Sequence, residues 1–469
     1  MSILAIDQGT TSTRALLVEE SGHSHIVESI HHQQVYSEAG WVEHDPEELL
    51  GNIIRCIQST DNISAIGIDN QGESCLAWDA ESKKAISPVL VWQDNRTQSI
   101  IKELKREGHQ PLVQQKTGLP LDCYFSASKL GWIMQNIPQA ETLYHRGQLR
   151  LGTTDAFFLD RLTGKFVTDI STASRTSLMN LSTGQWDEQL CKLFNVPIDS
   201  LPKIVTSTGD FGTFFSNGRN IPVTASIVDQ QAALFGQGCL ASGDAKITFG
   251  TGAFAMVNSG SRIINAPDQG LLPTVAWQLE QNDPVYALDG GIYNAGSAID
   301  WAKSLGLFDD YQQINQFSKP AAIERGLAFV PALSGLACPH WDRQAAGLWI
   351  GMTLDSKPDD MLQSILEGIA FRSAEVIRAM QLLTPLKDSI HIDGGLSINP
   401  YFCQFLADVL DKRIITREQA EFTALGTARL AGADIPMEDF PTKIYSPVSD
   451  KQRFIERFSE AVSRSKQWN

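Results

Sequence analysis

Two short stretches, DQGTTSTRA at residues 7–15 and FGTGAFA at 249–255, have the composition of turns that take an anion. Gly, Thr and Ser at a hairpin tip present backbone N–H groups and small hydroxyls without bulk. Each of these donates to an anionic oxygen, so such a tip can surround a phosphate. Asp7, just before the first tip, is suited to hold a magnesium ion through its water shell, which is how that ion is usually bound. One Gly-Thr turn is a weak signal, since most only connect strands. Two of them, in halves that read alike, would let two domains clasp one nucleotide. Neither G-x-x-x-x-G-K-[ST] nor a G-x-G-x-x-G after a strand is present, so the common phosphate loops are excluded. A third stretch, IDNQGES at 68–74, closes an apolar run and then brings Gln71, Gly72 and Glu73 in succession. That is the polar punctuation of a turn or of a pocket.

These turns need strands on either side, and the sequence supplies them. ILAIDQGTTSTRALLVEE at 3–20 and AKITFGTGAFAMVNSG at 245–260 both read as strand, Gly/Thr-rich turn, strand. SIHIDGGLSIN at 389–399 is a relative of the pattern that runs into glycines without a returning strand. Strand-like runs alternate with helix-like segments along the chain, the pattern of an α/β architecture. One helix start is clear: Asp45 as cap, Pro46 at the first position and Glu48 closing a capping box, with Leu49, Ile53 and Ile57 as its buried face. The recurrence of the hairpin puts a domain boundary near Gln237, giving domains 1–237 and 238–469.

Composition narrows the class. At 469 residues the chain is too long for a single core. With 42% hydrophobic and 20% charged residues it is an ordinary folded globular protein. A formal net charge of −16, without a basic run, repels phosphate backbones and excludes nucleic acid as an expected partner. No apolar run is long enough to span a bilayer, and MSILAID is not a signal peptide. Seven scattered cysteines without a C-x-x-C pair point to reduced thiols in the cytoplasm, not a disulfide framework.

The chain resembles the FGGY carbohydrate kinases, of the actin and hexokinase superfamily. DQGTTSTRA is similar to that family's first phosphate loop. YFSASKLGWIMQN at 124–136 and GLWIGMTLDSKPDDMLQSILE at 347–367 resemble its two signatures. GWVEHDPEEL at 40–49, DQQAALFGQ at 229–237 and PALSGLACPHWD at 331–342 look like segments of its glycerol kinase branch. The resemblance runs from about Ile3 to Gly432. It implies two actin/hexokinase-like (ribonuclease H-like) domains with the active site in the cleft between them. It also implies phosphoryl transfer from ATP, with Mg2+, to a hydroxyl of a small polyol, in an enzyme working as a homodimer or homotetramer.

Residue by residue, the resemblance gives Thr10, Thr11, Ser12 and Arg14 to the phosphates from one domain, and Thr251 and Gly252 from the other. Gly296, Gly395 and Asn399 correspond to nucleoside-side contacts. Asp229 is similar to the catalytic base, with Gln230 beside it on the substrate. Glu73, Trp92, Tyr124 and Phe254 match positions lining the polyol pocket. For Trp92 and Phe254 the plainer alternative is core packing, and for Asp229 it is a helix cap. One departure bears on the substrate: glycerol kinases carry Arg where this chain has Gly72. Glycine removes a cation and several donors. Either the pocket is enlarged toward a four- or five-carbon polyol, or another side chain or water replaces the Arg. A ketopentose or sugar kinase of the same family is the next reading. A non-catalytic sensor on a kinase fold is the reading from another class, and retention of Asp7, Asp229 and both turns speaks against it.

Overall fold

The structure is a computed structural model and describes residues 2–216, 218–418, 421–436, 440–466 and 468 of the chain. It is built on two mixed sheets with one plan. In the first, six strands lie in the order Thr213–Ser216, Arg219–Val228, Ile63–Asn70, Ser2–Gln8, Ser12–Val18, Ser24–His31. The Ser2–Gln8 and Ser12–Val18 strands form an antiparallel hairpin, and Ile63–Asn70 lies parallel on the other side of Ser2–Gln8. In the second, Ala245–Phe249 and Ala253–Gly260 form the hairpin, and Ser389–Gly394 is the parallel neighbour. That last strand ends in a 3-10 turn, Gly395–Ile398, with no returning strand.

The central strands are apolar almost throughout, because helices cover both faces of each sheet. In Ser2–Gln8, Leu4, Ala5 and Ile6 are fully enclosed. The helix Pro46–Gln58 lays Leu49, Ile53 and Ile57 on the first sheet's core. Its cap departs from expectation: the Asp45 carboxylate accepts the Glu47 N–H at 2.9 Å, one residue earlier than the N–H a capping box uses. In the second half the helix Pro358–Gln381 is buried along most of its 24 residues.

Two features position the cleft. A four-stranded antiparallel sheet combines Glu43–His44, from before Ile63–Asn70, with Val89–Leu90, Cys75–Asp79 and Leu149–Thr153 from after it, and the segment after Ile63–Asn70 carries Trp92 and Tyr124. The helix Phe422–Leu430, from the second half, crosses the helix Asp229–Gly236 and also packs on the first sheet. Glycines make the crossing close. A Cβ on Gly236 would run into the Phe422 carbonyl oxygen, and one on Gly426 into that of Ala232. A Cβ on Gly67 would lie 2.8 Å from the Thr427 carbonyl oxygen.

Candidate active site

Three parallel strands of the first sheet end together, the usual location of a ligand site in an open α/β sheet. The register aligns Asp7 with Asp69 and Gln8 with Asn70, while Val228 is level with Asn70 from the other side. Asp7, Asp69 and Asp229 are thereby collected at one edge. Asp229 is the first residue of the helix Asp229–Gly236, and its Oδ1 accepts the Gln230 N–H at 2.6 Å. Val228, not Asp229, is the cap residue.

Burial governs the electrostatics here. It pushes Asp229 up to about 7, and the charges of Asp7 and Glu73 push the same way. Burial also raises Asp7 and, still further, Asp69, where the neighbouring Asp7 charge adds to it. Carboxylates this close, away from water, cannot all ionise without a cation. Thr427 Oγ1 donates to Asp69 Oδ2 at 2.7 Å, while Asp69 Oδ1 is enclosed with no partner. Among the described residues no group of three or more His, Cys, Asp or Glu is arranged to hold a metal by itself. A magnesium ion that brings its own water and phosphate ligands fits this edge, because it asks little of the protein beyond charge.

The second turn faces the same place. Lys246 is fully buried, and its Nζ donates to Gln230 Oε1 at 2.7 Å and to Thr248 Oγ1 at 2.8 Å. It therefore ties the residue after Asp229 to the strand entering Gly250–Gly252. Burial lowers its pKa, opposed by Asp393 and Asp229. That turn is braced by the start of the helix Gly296–Ser304: the Ala295 and Ser297 N–H groups reach Thr251 O at 3.0 Å, and Gly296 N–H reaches Gly250 O at 2.9 Å. Two of these glycines are required sterically. A Cβ on Gly296 would sit 2.5 Å from Gly250 O, and one on Gly252 would strike Ile292 O.

Two of the three expected aromatic residues meet. Trp92 and Tyr124 meet edge to face with centroids 5.6 Å apart, and the Trp92 indole N–H donates to Thr10 Oγ1 at 3.1 Å. Both residues are half-buried, and Tyr124 also packs against Leu119, Phe125 and Leu272. Phe254 lies against Gly291, 3.6 Å from where a Cβ would be. Glu73 is buried at positive φ, 60°, and takes the Arg175 Nε–H at 2.6 Å. Burial raises the Glu73 carboxyl, and Arg175 opposes it.

Other expected residues are engaged elsewhere. Arg14 is held by both oxygens of Glu421, at 3.1 and 2.9 Å, across the two halves. Asn399 caps the helix Pro400–Leu410 through Phe402 N–H at 2.8 Å, and its Nδ2 donates to Ile314 O at 2.9 Å. Its amide is thus turned to the protein, whereas Gly395 is exposed. Thr10 is half-buried, Thr11 and Thr251 are exposed, and Ser12 is buried.

Sequence reasoning passed over Asp69, Arg175, Lys246 and Asp289. Asp69 belongs to the IDNQGES stretch, and its role appears only once its strand is set beside Asp7. For Lys246 the available signal was a cation inside the apolar strand AKITF.

Comparison with known proteins gives the family and the fold. The model of the FGGY family of carbohydrate kinases matches with its N-terminal domain over residues 2–236 and its C-terminal domain over 245–435. A glycerol kinase of Bdellovibrio bacteriovorus is 37% identical, covering 98% of this chain and 99% of that protein. One of Saccharopolyspora erythraea is 40% identical, over 92% of this chain and 89% of that protein. The crystal structure of Plasmodium falciparum glycerol kinase with ADP superposes with a TM-score of 0.90 at 31% identity, covering 99% and 98% of the two chains. Gluconate kinase from Lactobacillus acidophilus shares the fold, with a TM-score of 0.85 at 23% identity over 99% and 96%.

Proposed function

This chain belongs to the FGGY family of carbohydrate kinases, and on that premise we propose that it transfers the γ-phosphoryl group of ATP to a terminal hydroxyl of glycerol. It is an ATP-dependent carbohydrate or polyol kinase. The observation that carries the reading is the place of the Asp229 carboxylate, at the strand ends that also bring Asp7 and beside Gln230, which Lys246 ties to the strand entering the second Gly-Thr turn.

Phosphoryl transfer runs through a loose transition state, so an enzyme contributes mainly alignment and charge. Asp229 takes the proton of the attacking hydroxyl, and a base titrating near neutrality is matched to that task. Gln230, fixed by Lys246, orients the same end of the acceptor. Glu73 accepts from a second hydroxyl, while Trp92, Tyr124 and Phe254 enclose the carbon chain. Backbone and hydroxyl donors of Thr10, Thr11 and Ser12, and of Thr251 and Gly252, surround the phosphates from the two halves, 1–237 and 238–469. Arg14 joins them on leaving Glu421. Gly296, Gly395 and Asn399 border the nucleoside. Asp7 and Asp69 would hold a magnesium ion brought in with the nucleotide, which would supply charge neutralisation at the phosphoryl oxygens. Closure of the halves keeps out water that would compete as acceptor.

Among the described residues no helix is long and apolar enough to cross a membrane. All seven cysteines are buried and unpaired, which suits a reducing compartment, and we assign the enzyme to the cytoplasm.

A coupled ADP-release assay over glycerol, erythritol, threitol, xylulose, ribulose and gluconate tests the acceptor. Glycerol should give the highest kcat/KM. A ketopentose or gluconate turned over best would replace this reading with that of a sugar kinase.

A further inference from the structure

Gly72 removes the Arg that the resembled glycerol kinases carry, yet the position does not open into a void at its root. A Cβ there would already lie 3.2 Å from Val228 Cγ1. A buried cation does contact the next residue, Glu73. Arg175, just after the short helix Ile170–Ala173, is 3% exposed. Its Nε donates to Glu73 Oε1 at 2.6 Å, and its Nη2 stands 3.1 Å from Asp289 Oδ2. The guanidinium carbon is 5.9 Å from the centre of the Tyr124 ring. Burial works against its charge, but Glu73 and Asp289 outweigh burial and keep it cationic.

Asp289 reaches this place from the second half. Its strand, Val285–Ile292, pairs with Ala253–Gly260 so that Gly291 opposes Phe254. Residues two apart on a strand share a face, so Asp289 and Phe254 line the same side. Lys246 and Asp289 both lie level with Met256, the strand between them.

Two polar atoms in this group have no partner although both are enclosed: Arg175 Nη1 and Asp289 Oδ1. An enclosed donor and an enclosed acceptor left unmade are each costly, and native structures seldom keep both without a ligand or an ordered water. A hydroxyl is at once a donor and an acceptor, so a single one answers both atoms.

We propose that Arg175 and Asp289 are the specificity-determining pair for the acceptor hydroxyl remote from the transfer. Arg175 Nη1 donates to that hydroxyl, which in turn donates to Asp289 Oδ1. Arg175 thus provides, from a separate segment, the cationic donor missing at Gly72. The inference rests on the polyol kinase reading and names its acceptor class: a neutral polyol with a free hydroxyl at the far end. A deoxy analogue leaves both atoms unpaired. An acceptor ending in a carboxylate meets Glu73 and Asp289.

The test compares glycerol with propane-1,2-diol in the full-length enzyme, as wild type, Arg175→Lys, Asp289→Asn and Gly72→Arg/Arg175→Lys. Wild type should prefer glycerol by a factor of about 100 or more, as expected of a site built around a hydroxyl. Each single variant should cut that preference about tenfold or more through the KM for glycerol, with the KM for ATP within about twofold. In the double variant part of the preference should return. A preference unchanged in a folded single variant overturns the proposal. So does a loss that falls equally on kcat and on the KM for ATP, which a merely structural role would give. If Arg175→Lys does not fold, Asp289→Asn decides alone. Wild type that phosphorylates a sugar and neither polyol overturns the acceptor reading itself, a result recognisable before any variant is assayed.

Discussion

The Trp92 indole N–H donates to Thr10 Oγ1 at 3.1 Å, which ties the ring that packs beside Tyr124 to the turn after the strand Ser2–Gln8. On the proposed reading this joins one wall of the acceptor pocket to the first phosphate turn. Trp92→Phe keeps an aromatic surface and deletes the donor. The expected outcome is a rise of about two- to tenfold in the KM for both ATP and acceptor, the scale of one hydrogen bond. Steady-state kinetics that moved the acceptor KM alone would separate the two walls again.

Asp229→Asn removes the base and keeps the size of the side chain. Loss of a positioned base typically costs a factor of about 10²–10⁴ in kcat, and nucleotide affinity by calorimetry should stay within a few-fold. In wild type, kcat/KM should fall on the acid side of about pH 7, where Asp229 becomes protonated. That limb should be absent from the residual activity of the variant. Turnover of Asp229→Asn within tenfold of wild type would remove Asp229 from the mechanism.

The same carboxylate costs stability. Its folded pKa, about 7, lies above the ordinary aspartate value near 3.9, so the folded protein holds the proton more tightly than the unfolded chain. This contribution favours folding fully below about pH 4 and is lost as pH rises toward 7, with a slope of at most about 1.4 kcal/mol per pH unit. Melting curves of the nucleotide-free protein should show wild type losing more stability than Asp229→Asn between pH 5 and 8. The variant should be the more stable at pH 8, and equal pH dependence would refute the linkage.

How much of this was legible beforehand depends on how far apart the parts lie in the chain. Both Gly-Thr turns are local: small residues between two apolar strands identify themselves, and the paired hairpins revealed the repeated plan. The helix after Asp45 was local too, although its cap took Glu47 instead of closing through Glu48. Arg175 and Asp289 are local to nothing. They meet where the segment after the helix Ile170–Ala173 reaches the strand Val285–Ile292, and no spacing in the sequence encodes that. Arg14 and Asn399 illustrate the converse. Their positions were expected at the nucleotide, but Glu421 and the helix Pro400–Leu410 occupy their polar groups here.

The second turn offers the cleanest separation of the two ligands. Thr251→Val deletes an exposed hydroxyl and crowds the tip, and Gly252→Ala forces the turn away from Ile292 O. Both should raise the KM for ATP, Gly252→Ala the more because backbone must move. Acceptor affinity measured without nucleotide should barely change. Calorimetry finding acceptor binding lost and ATP binding intact would reverse the assignment of the halves.

The glycines at 236 and 426, where two helices touch backbone to backbone, give the cleft a fulcrum. A rotation displaces least what lies near its axis. Asp229 opens one of the crossed helices, and Thr427 of the other holds Asp69. The rim, with Thr251 and Gly395, lies outside that crossing and would swing through the longer arc when the halves turn about it. Admission of a nucleotide and readiness for transfer would then be mechanically decoupled, because the gate would travel while the carboxylates stay where they are. A methyl at Gly426 should jam that bearing. Scattering profiles of Gly426→Ala with and without ADP would then coincide where those of wild type differ.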